Sequence, residues 1–173
     1  MEDLQVLHRW LNAEPVLRWY AKQPMTPQQL DTKYVPRVSG ADPVKCHVAL
    51  VDGKPSGLFQ FYALSAFPEY AAAIGARPGW HGTDFFLGEA SARGRGLAPR
   101  LLQLFEMLVC EAAPDCTALV AGPHPSNEAS LRTLRRAGYA FERNVEVAPG
   151  EVESLMVKER PAFKRMTLAA GRA

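Results

Sequence analysis

The chain of 173 residues is poor in cysteine. Cys46, Cys110 and Cys116 are odd in number and lack the spacing of a metal site, which argues against a disulfide framework. Free thiols in a reducing compartment are the expectation. Long apolar runs are missing too, so no membrane span is expected. The first residues, Met1 to Trp10, are amphipathic and charged and do not read as a signal peptide. A cytoplasmic protein follows. Neither sign of charge dominates: 20 Lys and Arg stand against 18 Asp and Glu, a formal net charge of +2. No basic stripe with interleaved aromatics appears, so no nucleic-acid partner is expected. The histidines His8, His47, His81 and His124 lack zinc-ligand spacing, and no metal site is expected. A motif for a nucleophilic serine or cysteine is also lacking. There is no repeat, linker or low-complexity segment.

What is present is a core. At 47% hydrophobic residues, the chain can bury a sizeable interior, and residues 1–173 read as a single domain. Leu4, Leu7, His8 and Leu11 recur at helical spacing over residues 2–12. Val16 to Tyr20 read as a further turn of helix. Thr26 is a plausible N-cap for a helix from Pro27 to about Tyr34. Residues 45–52 and 56–64 read as strands joined by a hairpin at Asp52-Gly53-Lys54. Phe67 to Gly79 shows little periodicity and reads as a loop. Thr83 to Gly88 is a third strand. Leu97, Leu101, Leu104, Phe105 and Leu108 mark one face of a helix ending near Glu111. Thr117 to Ala121 is a short apolar strand of central type. Ser126 or Asn127 caps a helix through Ala137, with Gly138 just past its end. Tyr139–Val147 and Val152–Val157 form a last hairpin, and the chain looks frayed from about Arg165. The fold class is α/β, with hairpins at both ends of a strand-helix-strand-helix stretch.

One segment carries chemistry. Ser91-Ala92-Arg93-Gly94-Arg95-Gly96-Leu97-Ala98-Pro99 lies between the strand at Phe85-Phe86-Leu87 and the helix that starts at Leu97. A strand, a basic glycine-rich turn and a helix N-terminus make a phosphate cradle. The helix start offers unpaired N–H groups and the positive end of a dipole. Gly94 and Gly96 let backbone approach a ligand closely. The plain alternative is a surface turn with solvated arginines. Asp84 is the second feature. A carboxylate beside Phe85 and Phe86 needs a partner or a purpose.

These pieces, in this order, resemble the GNAT acyltransferases. Arg93-Gly94-Arg95-Gly96-Leu97-Ala98 is similar to their coenzyme A motif, and Pro125-Ser126-Asn127 followed by Ala137-Gly138-Tyr139 resembles their Asn-helix-Gly-aromatic segment. A narrower resemblance along most of the chain is to the aminoglycoside 6′-N-acetyltransferases, and more loosely to siderophore acyltransferases. It rests on Trp10-Leu11-Asn12, Trp19-Tyr20, Pro78 to Leu87, Leu155-Met156-Val157 and Ala162-Phe163.

The resemblance implies a GNAT-type mixed, mostly antiparallel sheet flanked by helices. The family's first edge strand is missing before Glu2-Asp3-Leu4, through a misassigned start codon or a sheet that lacks it. It implies acetyl-CoA as cosubstrate, held by Arg93, Gly94, Arg95, Gly96, Ala98, Pro99 and Asn127. Pro99 has no N–H to give but suits a first helical turn. Asn127 is equally a good helix cap. Arg132, Arg135 and Arg136 could approach a phosphate or form a solvated face. Asp84 is the implied base, with capping or pairing to an arginine as the alternative. Trp19 and Tyr20, with Asp84, would line the acceptor pocket, with Trp80 as a further aromatic; core packing is the alternative for all three rings. His81 is near enough to join a proton relay, and His124 reads as a loop residue. A backbone N–H on the Phe86–Gly88 strand would meet the developing oxyanion.

Two positions depart from the family pattern. Gly122 stands where an acidic residue helps hold the substrate's amines, and Glu69, Glu89 or Asp31 would have to compensate. Leu134 stands where many members place the tyrosine that protonates the leaving thiolate, leaving water or Tyr139. The expected reaction is transfer of an acetyl group to a small-molecule amine, foremost an aminoglycoside 6′-amino group, by a monomer or homodimer. A siderophore precursor or other small amine is the alternative acceptor. A non-catalytic acyl-CoA-binding module is the alternative of another class.

Overall fold

The computed structural model describes residues 2–160. The Ala162-Phe163 pair and the segment from Arg165 lie outside the described residues. Strand β1 (Lys45–Val51) turns into β2 (Lys54–Ala63) through Asp52 at φ 51° and Gly53 at φ 72°. Two successive positive φ values are what a tight hairpin with right-handed twist demands. Strand β3 (Trp80–Leu87) lies antiparallel to β2, and β4 (Ala118–Ala121) is its parallel neighbour. A closing hairpin, β5 (Ala140–Ala148) and β6 (Glu151–Glu159), docks through β6. The sheet has six strands in the order β1-β2-β3-β4-β6-β5. Among the described residues no strand precedes β1, so β1 is an edge.

Alternation of side chains sorts the core onto the two faces. Helices α1 (Glu2–Leu11) and α2 (Pro27–Ser39) cover Leu58 and Phe86 with Leu7, Trp10, Leu11, Leu30 and Tyr34. Farther along that face, α3 (Pro68–Ile74) buries Ile74 against Trp80, Val120, Leu155 and Val157. The opposite face carries α4 (Leu97–Ala112) and α5 (Glu128–Ala137). Their Leu102, Phe105, Val109, Leu131 and Leu134 pack on Phe59, Phe61, Leu119 and Met156.

Three expectations need correction. Residues 67–79 are not one loop, because α3 occupies their middle. Its alanines give no amphipathic period, yet alanine is the best helix former; Pro68 opens the helix and Gly75, at φ 62°, closes it. Helix α2 runs past Tyr34 and through Pro36 to Ser39. A proline there removes one N–H and costs about 3 kcal/mol; burial of Leu30 and Tyr34, together with a capping box between Thr26 and Gln29, offsets it. Strand β3 starts at Trp80, and that ring is in the core beneath the Arg77 guanidinium rather than in a pocket.

Candidate active site

Strands β3 and β4 pair only from Trp80–Ala118 to Gly82–Val120. Past Gly82, β3 continues to Leu87 while β4 soon ends, and a cleft of about 930 Å³ opens between them. The ladder direction decides which amides face it. Gly88 N–H donates to Ser56 on the β2 side, at 2.9 Å. Alternation then turns the N–H groups of Phe85 and Leu87 the other way, into the cleft. Gly88 itself is therefore not an oxyanion donor, whereas Leu87 is placed to be one.

The basic turn enters the cleft from below. Gly94 (φ 73°) and Gly96 (φ 69°) adopt left-handed backbone, and a side-chain carbon at either would meet nothing within 4 Å. Helix α4, which follows, has no side-chain cap at its N-terminus, unlike α2 and α5, which are capped by Thr26 and Asn127. Its first-turn N–H groups stay free for an anion. Arg93, Gly94, Ala98 and Asn127 line the cleft. Arg95, Gly96 and Pro99 belong to the same turn but not to the lining; the Arg95 guanidinium reaches back to the Ser91 carbonyl at 3.5 Å. Arg93 braces the turn. Its guanidinium donates to the carbonyls of Gly88 (3.2 Å), Glu89 (3.4 Å) and Glu14 (3.4 Å). Arg132, Arg135 and Arg136 lie outside the lining, and Arg132 pairs with Glu128 on its own helix.

Asp84 projects from β3 into the cleft toward the α1/α2 side. Burial raises its pKa from 3.8 to about 6, opposed by the Arg37 guanidinium and the Lys33 ammonium. Among the described residues no side chain hydrogen-bonds to it. A carboxylate in that condition holds or releases a proton near neutrality, as a general base must.

Trp19 and Tyr20 come from a single π-helical turn, Leu17–Ala21, and both line the cleft. The Tyr20 ring meets Phe86 edge-on at 4.7 Å, and its hydroxyl accepts from the Gln60 amide. Trp19 packs on His124 at 5.9 Å, with the Arg18 guanidinium 4.6 Å from the indole centroid. His124 is thus part of the cleft wall, beyond a loop role. Loop residues gain such roles only through what folds against them.

The sequence matches the acetyltransferase (GNAT) domain over residues 1–147. The chain belongs to the GNAT acetyltransferases. Aminoglycoside N(6′)-acetyltransferase type 1 of Klebsiella pneumoniae is 30% identical over 166 residues, which is 94% of this chain and 81% of that protein. A kanamycin resistance protein of Rhizobium radiobacter is 35% identical over 89 residues, 51% of this chain and 80% of its own. Among solved structures, aminoglycoside acetyltransferase AAC(6′)-Ib in complex with coenzyme A and kanamycin superposes with a TM-score of 0.76 at 28% identity, covering 95% of this chain and 93% of that one. The same enzyme with paromomycin and acetyl-CoA gives a TM-score of 0.77, covering 98% and 94%.

This GNAT enzyme is an acyl-CoA-dependent N-acetyltransferase, with acetyl-CoA as its cosubstrate. The uncapped helix, the open backbone at Gly94 and Gly96 and the splayed strands fit that molecule. Several expected helpers are elsewhere. Leu134 is fully buried, and Tyr139 is buried in the α4/α5 core outside the cleft. Burial, then the Glu106 charge, pushes the Tyr139 pKa far up, so it is no proton donor to a thiolate. His81 is buried with Nδ1 3.1 Å from the Gly79 carbonyl and lies outside the cleft, so it joins no relay with Asp84. None of Glu69, Glu89 and Asp31 lines the cleft, and Glu89 is taken by Arg9 and the Trp10 indole N–H.

Five charged residues of the GNAT cleft escaped the sequence reading: Lys22, Lys33, Arg37, Glu151 and Glu153. Lys33 and Arg37 stand one helical turn apart on α2, a spacing that signals a shared face but not what it faces. Glu151 and Glu153 alternate at the start of β6, which reads equally well as a solvated strand edge.

Proposed function

We propose that this acetyltransferase modifies the 6′-amino group of an aminoglycoside, with Asp84 as the base. The observation that carries the reading is Asp84 itself, a half-buried carboxylate tuned to about 6 and standing without a hydrogen-bond partner beside a row of open amides. The likeness to the aminoglycoside enzymes supports the choice of acceptor. Bound acetyl-CoA supplies the activated acetyl carbonyl. Gly94, Ala98 and the free amides of α4 hold its phosphates, with Arg93 keeping the turn in shape; Arg95, Gly96 and Pro99 shape the same turn, and Asn127 lines the arm's path. The Leu87 N–H is aimed at the carbonyl oxygen and stabilises charge that develops there. Trp19 and Tyr20 present apolar faces to the acceptor. Holding both reactants together supplies roughly 7–11 kcal/mol in favourable cases. Asp84 takes the amine proton directly or through water. The thiolate, with a thiol pKa of about 8.5, leaves into water without an acid from Leu134 or Tyr139.

The reading places the enzyme in the cytoplasm, as a monomer or homodimer acting on a small molecule rather than nucleic acid. No helix among the described residues is long and apolar enough to cross a membrane. One observation favours a second acceptor class. Lys33 and Arg37 stand beside Asp84, and those cations suit an acceptor with fewer positive charges, such as a siderophore precursor. The deciding experiment follows thiol release from acetyl-CoA across kanamycin, a hydroxamate-forming amine and simple diamines. Turnover with kanamycin above all others supports the proposal. Turnover only with the less charged amines selects the second class. Acetyl-CoA binding without turnover on any amine leaves a non-catalytic binding module.

A further inference from the structure

Gly122 follows β4 directly, at the cleft wall. A side-chain carbon built there would collide with the Glu153 carboxylate, and it would come within 3.0 Å of the Tyr70 hydroxyl. The space over Gly122 is therefore filled by an acid from another strand. Glu153 is the third residue of β6, and Ser154 N–H, next to it, donates to the Pro123 carbonyl at 2.8 Å. That bond continues the β4–β6 ladder past its last pair and sets Glu153 beside Gly122. The Tyr70 hydroxyl, from α3, donates to Glu153 Oε2 at 2.7 Å and fixes the carboxylate's direction.

Glu153 shares the cleft with Asp84 and is close enough to feel its charge. The cation whose charge reaches it, Lys22, is paired with Glu151. A carboxylate has room for about four hydrogen bonds, and Glu153 receives one side-chain donor among the described residues. A half-buried anion with open acceptor positions, facing a cleft, is suited to a cationic ligand group.

We propose that Glu153, oriented by Tyr70 over Gly122, holds a second ammonium group of the acceptor while the first is acetylated at Asp84. The preferred acceptor is then a molecule with at least two amino groups. The inference rests on the acetyltransferase reading and adds a specificity-determining residue to it. Gly122 is part of the same device, since any larger residue there would displace Glu153.

The test compares kanamycin with 6-amino-6-deoxyglucose, which offers one primary amine and no second. Glu153→Gln keeps the size and the Tyr70 contact but removes the charge. It is expected to lower the kcat/KM ratio of kanamycin over the monoamine about tenfold, with the loss in the kanamycin KM. Equal losses on both acceptors, or an unchanged kanamycin KM, overturn the proposal. A second variant pair moves the charge. Glu153→Ala loses the preference, and Gly122→Asp combined with Glu153→Ala restores at least part of it. A double variant no better than Glu153→Ala overturns the proposal, provided its thermal unfolding matches that single variant. Failure of the parent reading looks different: wild-type protein then releases no thiol with kanamycin or any amine.

Discussion

Asp84 lies opposite Gln60 across the β2–β3 ladder, and Gln60 sets the side chains around that carboxylate. The Gln60 side chain is 1% exposed. Its carbonyl accepts from Arg37 at 2.8 Å, and its amide donates to the Tyr20 hydroxyl. One buried amide thus fixes a cation from α2 and a ring from the π-helical turn. Gln60→Leu would take that partner from the Arg37 guanidinium, the Tyr20 hydroxyl and the Cys46 thiol, which donates to the same carbonyl at 2.9 Å. We expect a loss of about 1–3 kcal/mol in stability from urea unfolding, and a raised acceptor KM with an unchanged KM for acetyl-CoA.

In its proposed role as the base, Asp84 must be ionised. Its folded pKa of about 6 lies above the ordinary 3.8, so kcat/KM should fall as pH drops through about 6 and level off above it. Asp84→Asn should lower turnover about 10²–10⁴-fold and abolish that acid limb, while calorimetry shows acetyl-CoA binding retained. The linkage has a definite sign. A raised carboxylate pKa means the folded state favours the protonated form, so Asp84 lowers stability as pH rises from 3.8 through about 6. At pH 7.5 Asp84→Asn should therefore unfold at no lower a temperature than wild type. A fully active Asp84→Asn would remove this residue from the mechanism.

The glycine-rich turn before α4 separates into backbone and charge. Gly96→Ala meets no neighbour, so its effect is backbone strain alone, on the order of 1–2 kcal/mol at φ 69°. A several-fold rise in the acetyl-CoA dissociation constant is expected. Arg93→Glu removes the braces to Gly88, Glu89 and Glu14 and adds a negative charge. It should weaken acetyl-CoA binding more than Gly96→Ala does. Equal calorimetric affinities for wild type and Arg93→Glu would count against the site.

A buried ion pair ties the closing hairpin to the α4/α5 layer. Lys158 Nζ lies 2.6 Å from Glu106 Oε2 and 2.6 Å from the Ala137 carbonyl, and both side chains are at most 3% exposed. Lys158→Ala strands a buried carboxylate and should cost about 3–5 kcal/mol. Because the pair is outside the cleft, folded Lys158→Ala protein should keep its acetyl-CoA affinity. Chemical unfolding and calorimetry on one preparation check both statements.

Much of the fold was legible because its signals are local. Asp52-Gly53, the Thr26 and Asn127 caps and Gly138 are set by backbone chemistry within a few residues. Helix α3 was not legible, since an alanine run carries no hydrophobic period, and the extension of α2 past Pro36 depends on packing. Of the cleft lining, Arg93, Gly94, Ala98, Asn127, Asp84, Trp19 and Tyr20 could be named from motif and resemblance. Glu153 could not, because its partners Gly122 and Tyr70 are 31 and 83 positions away in a chain of 173 residues.

The sequence by itself determined the order of the six strands and of every α-helix except α3, the glycine-rich turn before α4 and the identity of the acid on β3. Hydrogen-bonding range, allowed φ and apolar period act over short stretches, so one chain segment suffices to read them. Only the tertiary structure decided that β3 and β4 part after Gly82, that the amides of Phe85 and Leu87 face the gap, and that Arg93 braces rather than reaches. It also decided which carboxylate joins Asp84. Glu153 gained its place because β6 docks on β4 beside a residue without a side chain, and that packing is a property of the assembled sheet.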